Sequence, residues 1–69
     1  MPALRSSNLA SAEYDPEEEE LVIKFRSGQS YAYEGVDQVT FDDLMTASSA
    51  GEYFNRWIKG RYPERKVPS

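Results

Sequence analysis

Cysteine and histidine are both absent from the 69 residues. Without cysteine there is no disulfide staple, no thiolate zinc site and no thiol nucleophile. Without histidine, the commonest general base and the commonest transition-metal ligand are missing. Long hydrophobic runs are missing as well: no stretch approaches the ~18 apolar residues of a membrane span. Met1–Ser7 contains no apolar core of the signal-peptide kind. A soluble, cytoplasmic protein with no membrane contact is the expectation. Oxygen-only coordination of calcium or magnesium is the remaining route to a metal. The run Glu17-Glu18-Glu19-Glu20 supplies carboxylates but lacks the alternating ligands and central glycine of a calcium loop. It reads as a solvated acidic turn, so no metal and no cofactor are expected.

A chain of this length is one domain. It buries roughly 60% of the surface that its unfolded form exposes, and such a core rarely supplies more than ~3–5 kcal/mol. Association with itself or with a partner is one way to cover what remains. The net charge of −4 is unevenly spread. Residues 1–51 carry three cations against ten acids, and residues 52–69 carry five cations against two acids. The acidity of the whole argues against non-specific nucleic-acid binding. The basic end still permits a local phosphate contact.

The order of elements reads as α+β: a three-stranded antiparallel meander, then two short helices packed on one face. Residues 1–8 are expected to be a flexible leader, 9–63 the domain and 64–69 a flexible tail. Leu9–Tyr14 makes a first strand, although Ala10, Ser11 and Ala12 have little strand preference. Asp15-Pro16 marks a turn, since aspartate suits its first position and proline its second. From 21 to 26, Leu21, Ile23 and Phe25 alternate with Val22, Lys24 and Arg26, the period of a half-buried strand. A third strand spans 29–34. Thr40 suits a helix N-cap with Asp42 and Asp43 in the first turn, giving a helix over 41–47. Ser49 and Glu52 match a capping box for a second, amphipathic helix, and Gly60 and Pro63 end it. Ala50, Tyr53, Phe54, Trp57 and Ile58 recur on one stripe of that helix. Trp57 is therefore expected in the core. Gly51 and Asn55 are expected at the junction between the helices.

Ser27-Gly28 marks the hairpin, and its register decides where Tyr31 and Tyr33 point. A two-residue loop sets Lys24 opposite Tyr31 and Val22 opposite Tyr33. Both tyrosines then share a surface with Lys24 and Arg26, a platform for bases and phosphates. A three-residue loop with Gly28 at positive φ sets Ile23 opposite Tyr31 and Leu21 opposite Tyr33, and places them in the core. The second register is favoured, because the other face of the strand offers only Ser30, Ala32 and Glu34.

Leu21-Val22-Ile23-Lys24-Phe25, Gly28, Tyr31-Ala32-Tyr33 and Val36 resemble the sheet half of the KTSC domain. Leu44, Ala47, Ser49, Gly51, Tyr53-Phe54-Asn55, Ile58-Lys59 and Tyr62 resemble its helical half. The resemblance covers residues 6–63. That small domain is named after the C-terminus of some lysyl-tRNA synthetases and also occurs as a stand-alone bacterial protein. The family pattern has a proline after the valine, where this chain has Asp37. The resemblance implies an α+β fold and a non-catalytic role, with RNA suggested as the partner.

Two function classes follow. The first is a small binding module that contacts RNA through the basic C-terminal helix. Its candidate ligand-binding residues are Arg56, Lys59 and Arg61, joined by Lys24, Arg26, Tyr31 and Tyr33 from the sheet. The alternative is a protein–protein interaction module or a homodimerising accessory protein. A cation-bearing helix face is also what any amphipathic helix presents to water. Catalysis is not expected. Ser49 and Lys59 suggest a serine–lysine dyad, but the capping box explains the serine, and ten helical residues separate the pair by ~15 Å.

Overall fold

The computed structural model describes residues 8–68. Strands β1 (Leu9–Asp15), β2 (Glu20–Phe25) and β3 (Ser30–Glu34) come first. Helix α1 (Gln38–Thr46) and the short helix α2 (Ala50–Tyr53) follow, and α2 continues into a π-helical turn over Phe54–Ile58. A further strand, β4 (Glu64–Val67), closes the order. The sheet is antiparallel throughout in the order β1-β2-β3-β4. It therefore has four strands rather than the expected three, and most of the expected tail is β4. The expected leader lies outside the described residues except Asn8, whose carbonyl accepts from the Arg26 N–H at 2.9 Å.

Side chains that pair across antiparallel strands share a face. Ile23 pairs with Tyr31 and Leu21 with Tyr33, the three-residue-loop register. Gly28 donates to the Phe25 carbonyl at 2.9 Å with φ +97°, a conformation that costs glycine little. Leu9, Ala12, Leu21, Ile23 and Tyr33 are buried beneath the helices with Val36, Leu44, Ala50, Phe54 and Ile58. Leu9 and Ala12 are three apart, which simple alternation forbids. A register shift between Leu9 and Ser11 adds the extra residue that brings both to one face. The same irregularity explains why β1 is faint in the sequence.

The turn after β1 forms as expected: Asp15 Oδ1 accepts from the Glu17 N–H at 3.0 Å and the Glu18 N–H at 3.3 Å. The Glu19 carbonyl then accepts from both Gly35 and Val36, which ties the turn to the end of β3. Tyr14 secures the next residues, with its hydroxyl donating to the Val36 carbonyl at 2.6 Å and its ring stacked on Phe41 at 5.0 Å.

Helix α1 starts earlier than Thr40. Its cap is Asp37, whose Oδ1 accepts from the Thr40 N–H at 2.9 Å. Asp42 and Asp43 thus fall beyond the first turn. Both Asp37 and Thr40 are cap formers; Asp37 takes the cap, and Phe41, Leu44 and Met45 of the helix pack on the core. Hydrogen bonds from Thr40, its hydroxyl first, hold the Asp37 carboxyl below the usual carboxylate range. The Asp37 backbone, at φ −84° and ψ 167°, is extended, as a helix N-cap requires. Burial, and then Asp43 of α1, raise the Tyr53 hydroxyl pKa, which marks the contact between α1 and α2.

β4 is an edge strand with an exposed side, and its residues Glu64-Arg65-Lys66 carry no apolar signal. Main-chain pairing with β3 holds it, beginning where the Glu34 N–H donates to the Pro63 carbonyl at 3.1 Å. Arg65 adds a side-chain tie: it reaches over β3 to Glu20 on β2 at 2.5 Å and lies 3.9 Å from Glu34. Ala32, the cross-strand neighbour of Arg65, is fully buried although it faces away from the helices.

Candidate functional site

The second helix begins as its sequence suggests. Ser49 Oγ accepts from the Glu52 N–H at 3.3 Å, which gives that serine a capping role. The helix then widens. The Lys59 N–H donates to the Phe54 carbonyl, five residues back, at 2.8 Å. A π-helical turn of this kind holds one residue more than an α-turn. Phe54 and Ile58 remain buried, and Trp57 leaves the core stripe to stand 49% exposed. The expected burial of Trp57 is therefore wrong, and the wide turn is the physical reason. Gly60, at φ +78°, ends the helix as expected.

Around Trp57 the turn gathers cations. The Arg61 Cζ lies 5.6 Å from the centroid of the Trp57 ring, in a cation–π contact. Arg61 Nε donates to the Arg56 carbonyl at 2.9 Å, so it also satisfies one of the open carbonyls at the helix end. Its Nη groups have no partner among the described residues. Arg56 and Lys59 are exposed on the same turn. An indole with a guanidinium held over it and two exposed cations beside it can stack a planar group and neutralise attached anions.

Lys59 also borders a second feature, a cleft of about 470 Å³ between the helix and the β2–β3 hairpin. Phe25, Tyr31, Tyr33 and Phe54 form its aromatic floor. Phe25 meets Tyr31 and Phe54 edge-on at 5.9 and 5.6 Å, and Phe54 meets Tyr33 at 5.4 Å. Tyr31 is half-buried and keeps an accessible edge, whereas Tyr33 is 2% exposed. Burial, with smaller effects from Glu64 and Tyr31, raises the Tyr33 hydroxyl well above the ordinary tyrosine range. Arg26, Gln29, Asn55 and Glu64 make the polar rim with Lys59.

Of the seven residues singled out from sequence, Arg26, Tyr31, Tyr33 and Lys59 meet at this cleft. Arg56 and Arg61 belong to the Trp57 cluster. Lys24 stands apart: it pairs with Ser30 and Ser11 on the sheet face turned away from the helices. Asn55 and Gly51 border the cleft, and Asn55 is exposed rather than enclosed between the helices. Trp57 is the residue that sequence reasoning misplaced, because a π-turn changes phase without changing composition. Among the described residues, no group of carboxylates is arranged to hold a metal ion. No helix there is long and apolar enough to cross a membrane.

Comparison with known proteins gives a consistent pattern. The KTSC domain model matches residues 5–62. A protein of Tsukamurella paurometabola is 39% identical over 62 residues, which is 90% of this chain and 92% of that protein. A Stutzerimonas stutzeri protein is 42% identical, over 87% of this chain and 84% of its own length. A lysine–tRNA ligase of Nostoc punctiforme is 39% identical over 71% of this chain, a stretch that makes up 9% of the ligase. The crystal structure of a KTSC domain protein from Yersinia pestis superposes with a TM-score of 0.91 at 36% identity. That match covers 96% of this chain and 93% of that one.

Proposed function

This chain belongs to the KTSC domain family, and from that premise we propose that it is a non-catalytic module that binds single-stranded RNA through the end of its second helix. The observation that carries the reading is the exposed Trp57 with Arg61 fixed over its ring and Arg56 and Lys59 beside it. Bases stack on exposed aromatic rings at ~1–3 kcal/mol each, whatever their identity. Arginine and lysine at the helix end supply phosphate contacts. Three cations concentrated there offset the acidity of the whole chain locally. The similarity to part of lysine–tRNA ligases supports RNA over other polyanions, because those enzymes handle it.

Titration of tRNA and unstructured RNA at low salt tests this reading. Binding is expected, and Arg56→Ala with Lys59→Ala should weaken it without altering the far-UV circular dichroism. No binding to either RNA by the folded protein would end the reading.

A second reading is association with another protein or with itself. It is favoured by the two large apolar side chains exposed on the helices, Val39 at 66% and Trp57 at 49%. Sedimentation of a strict monomer at high concentration would remove the homodimer. In that reading Trp57→Ala weakens association and Arg56→Ala with Lys59→Ala does not.

A further inference from the structure

We propose that the cleft between the hairpin and the second helix takes one unpaired base, and that Glu64 on its rim makes guanine the preferred one. The proposal rests on the RNA-binding reading and gives it a second contact point with a specificity.

At about 470 Å³ the cleft lies within the range of small-molecule pockets, roughly 300–1,000 Å³. Its floor is aromatic, and the half-buried Phe25 and Tyr31 leave ring surface for a planar ligand. Lys59 stands on the rim within one turn of Arg56, so a strand that stacks on Trp57 has a phosphate contact leading toward the cleft. Gln29 and Asn55 place amide groups at the mouth, which can both donate to and accept from a base edge.

Glu64 breaks this pattern. A carboxylate repels phosphate, so a surface built only for the RNA backbone has no use for it. Glu64 pairs across the strands with Tyr33, which puts its side chain on the cleft side of the sheet. It has no ion-pair partner among the described residues. An ionised carboxylate only accepts hydrogen bonds, through two oxygens side by side. Guanine alone among the four bases presents two adjacent donors on its pairing edge, the ring N1–H and the exocyclic amine. Uracil flanks its single N–H with two carbonyl oxygens, which a carboxylate repels. Adenine and cytosine offer an amine beside a ring nitrogen that only accepts.

The test is a titration of the isotope-labelled full chain, followed by amide resonances, with GMP, AMP, CMP and UMP in turn. GMP should shift Gln29 and Asn55 and bind at least about fivefold more tightly than UMP, the low end for one bidentate base contact. Glu64→Gln should keep the fold and bring that ratio close to one. Equal binding of all four nucleotides overturns the proposal, as does a GMP preference that survives in Glu64→Gln. RNA that shifts Trp57 and Arg61 but leaves the cleft unmoved overturns the proposal and spares the RNA-binding reading. RNA that shifts nothing at low salt overturns both.

Discussion

Replacing Trp57 and Phe54 separately with alanine tests whether the wide helical turn sorts the two rings as described. Phe54 is 4% exposed and touches Phe25 and Tyr33 edge-on. Truncating a buried phenylalanine costs about 3–5 kcal/mol, from lost transfer energy and the cavity left behind. That is as large as the whole stability a core this small usually supplies, ~3–5 kcal/mol. Phe54→Ala should therefore be mostly unfolded in water. Trp57 is 49% exposed and leaves no enclosed cavity. About half of the ~3 kcal/mol for full burial of a large apolar side chain is at stake. The exposed cation–π contact with Arg61 adds ~0.5–1 kcal/mol. Trp57→Ala should then cost about 2 kcal/mol and still fold. Urea unfolding followed by far-UV circular dichroism suits both variants, since Trp57 is the only tryptophan and its removal ends that fluorescence signal. In the parent protein, acrylamide should quench Trp57 readily. Equal loss of structure in the two variants would refute the sorting, and so would a Trp57 shielded from acrylamide.

Three further outcomes follow from single groups. Burial, then Glu64 and Tyr31, raise the Tyr33 hydroxyl in the folded state, so the unfolded chain loses this proton first. Stability from Tyr33 is thus complete below the ordinary tyrosine value near 10 and falls as the pH rises past it. The urea midpoint should drop between pH 9 and pH 11, and drop less in Tyr33→Phe. Asp37 has its carboxyl held low by Thr40, so its contribution is present above the ordinary aspartate value and fades as acid protonates the cap. Asp37→Ala should lower the melting temperature at pH 7, Asp37→Asn should restore most of it, and the gap between parent and Asp37→Ala should close in acid. Arg65→Ala removes a half-exposed tie worth under ~1 kcal/mol. Global stability should barely change while amide exchange across 64–67 speeds up, because β4 has little else to hold its side chains.

What the sequence revealed depended on whether a residue's signal was local. β2 shows itself because Leu21, Ile23 and Phe25 alternate over a core. The hairpin register followed from one comparison: Tyr31 and Tyr33 offer far more to bury than Ser30 and Ala32. Ser49 and Gly60 mark their helix ends by chemistry that needs no partner. β4 was illegible because its stabilisation is main-chain pairing with β3, which leaves Glu64-Arg65-Lys66 looking like a solvated tail. Thr40 and Asp37 are both valid caps, and residue type alone does not choose between them. The candidate site divided along the same line. The cations at 56, 59 and 61 were visible as composition. The cleft was not, since it forms only where the hairpin, the helix and β4 meet.

The most direct test of the proposed RNA contact is the salt dependence of binding to an unstructured RNA, read by quenching of Trp57. Each phosphate neutralised on a single strand contributes a slope of about −0.7 to log affinity against log salt. Arg56, Lys59 and Arg61 together predict a slope of about −2, and Arg56→Ala with Lys59→Ala should reduce it to about −0.7. Affinity that is insensitive to salt, or a slope unchanged in the double variant, would contradict the account.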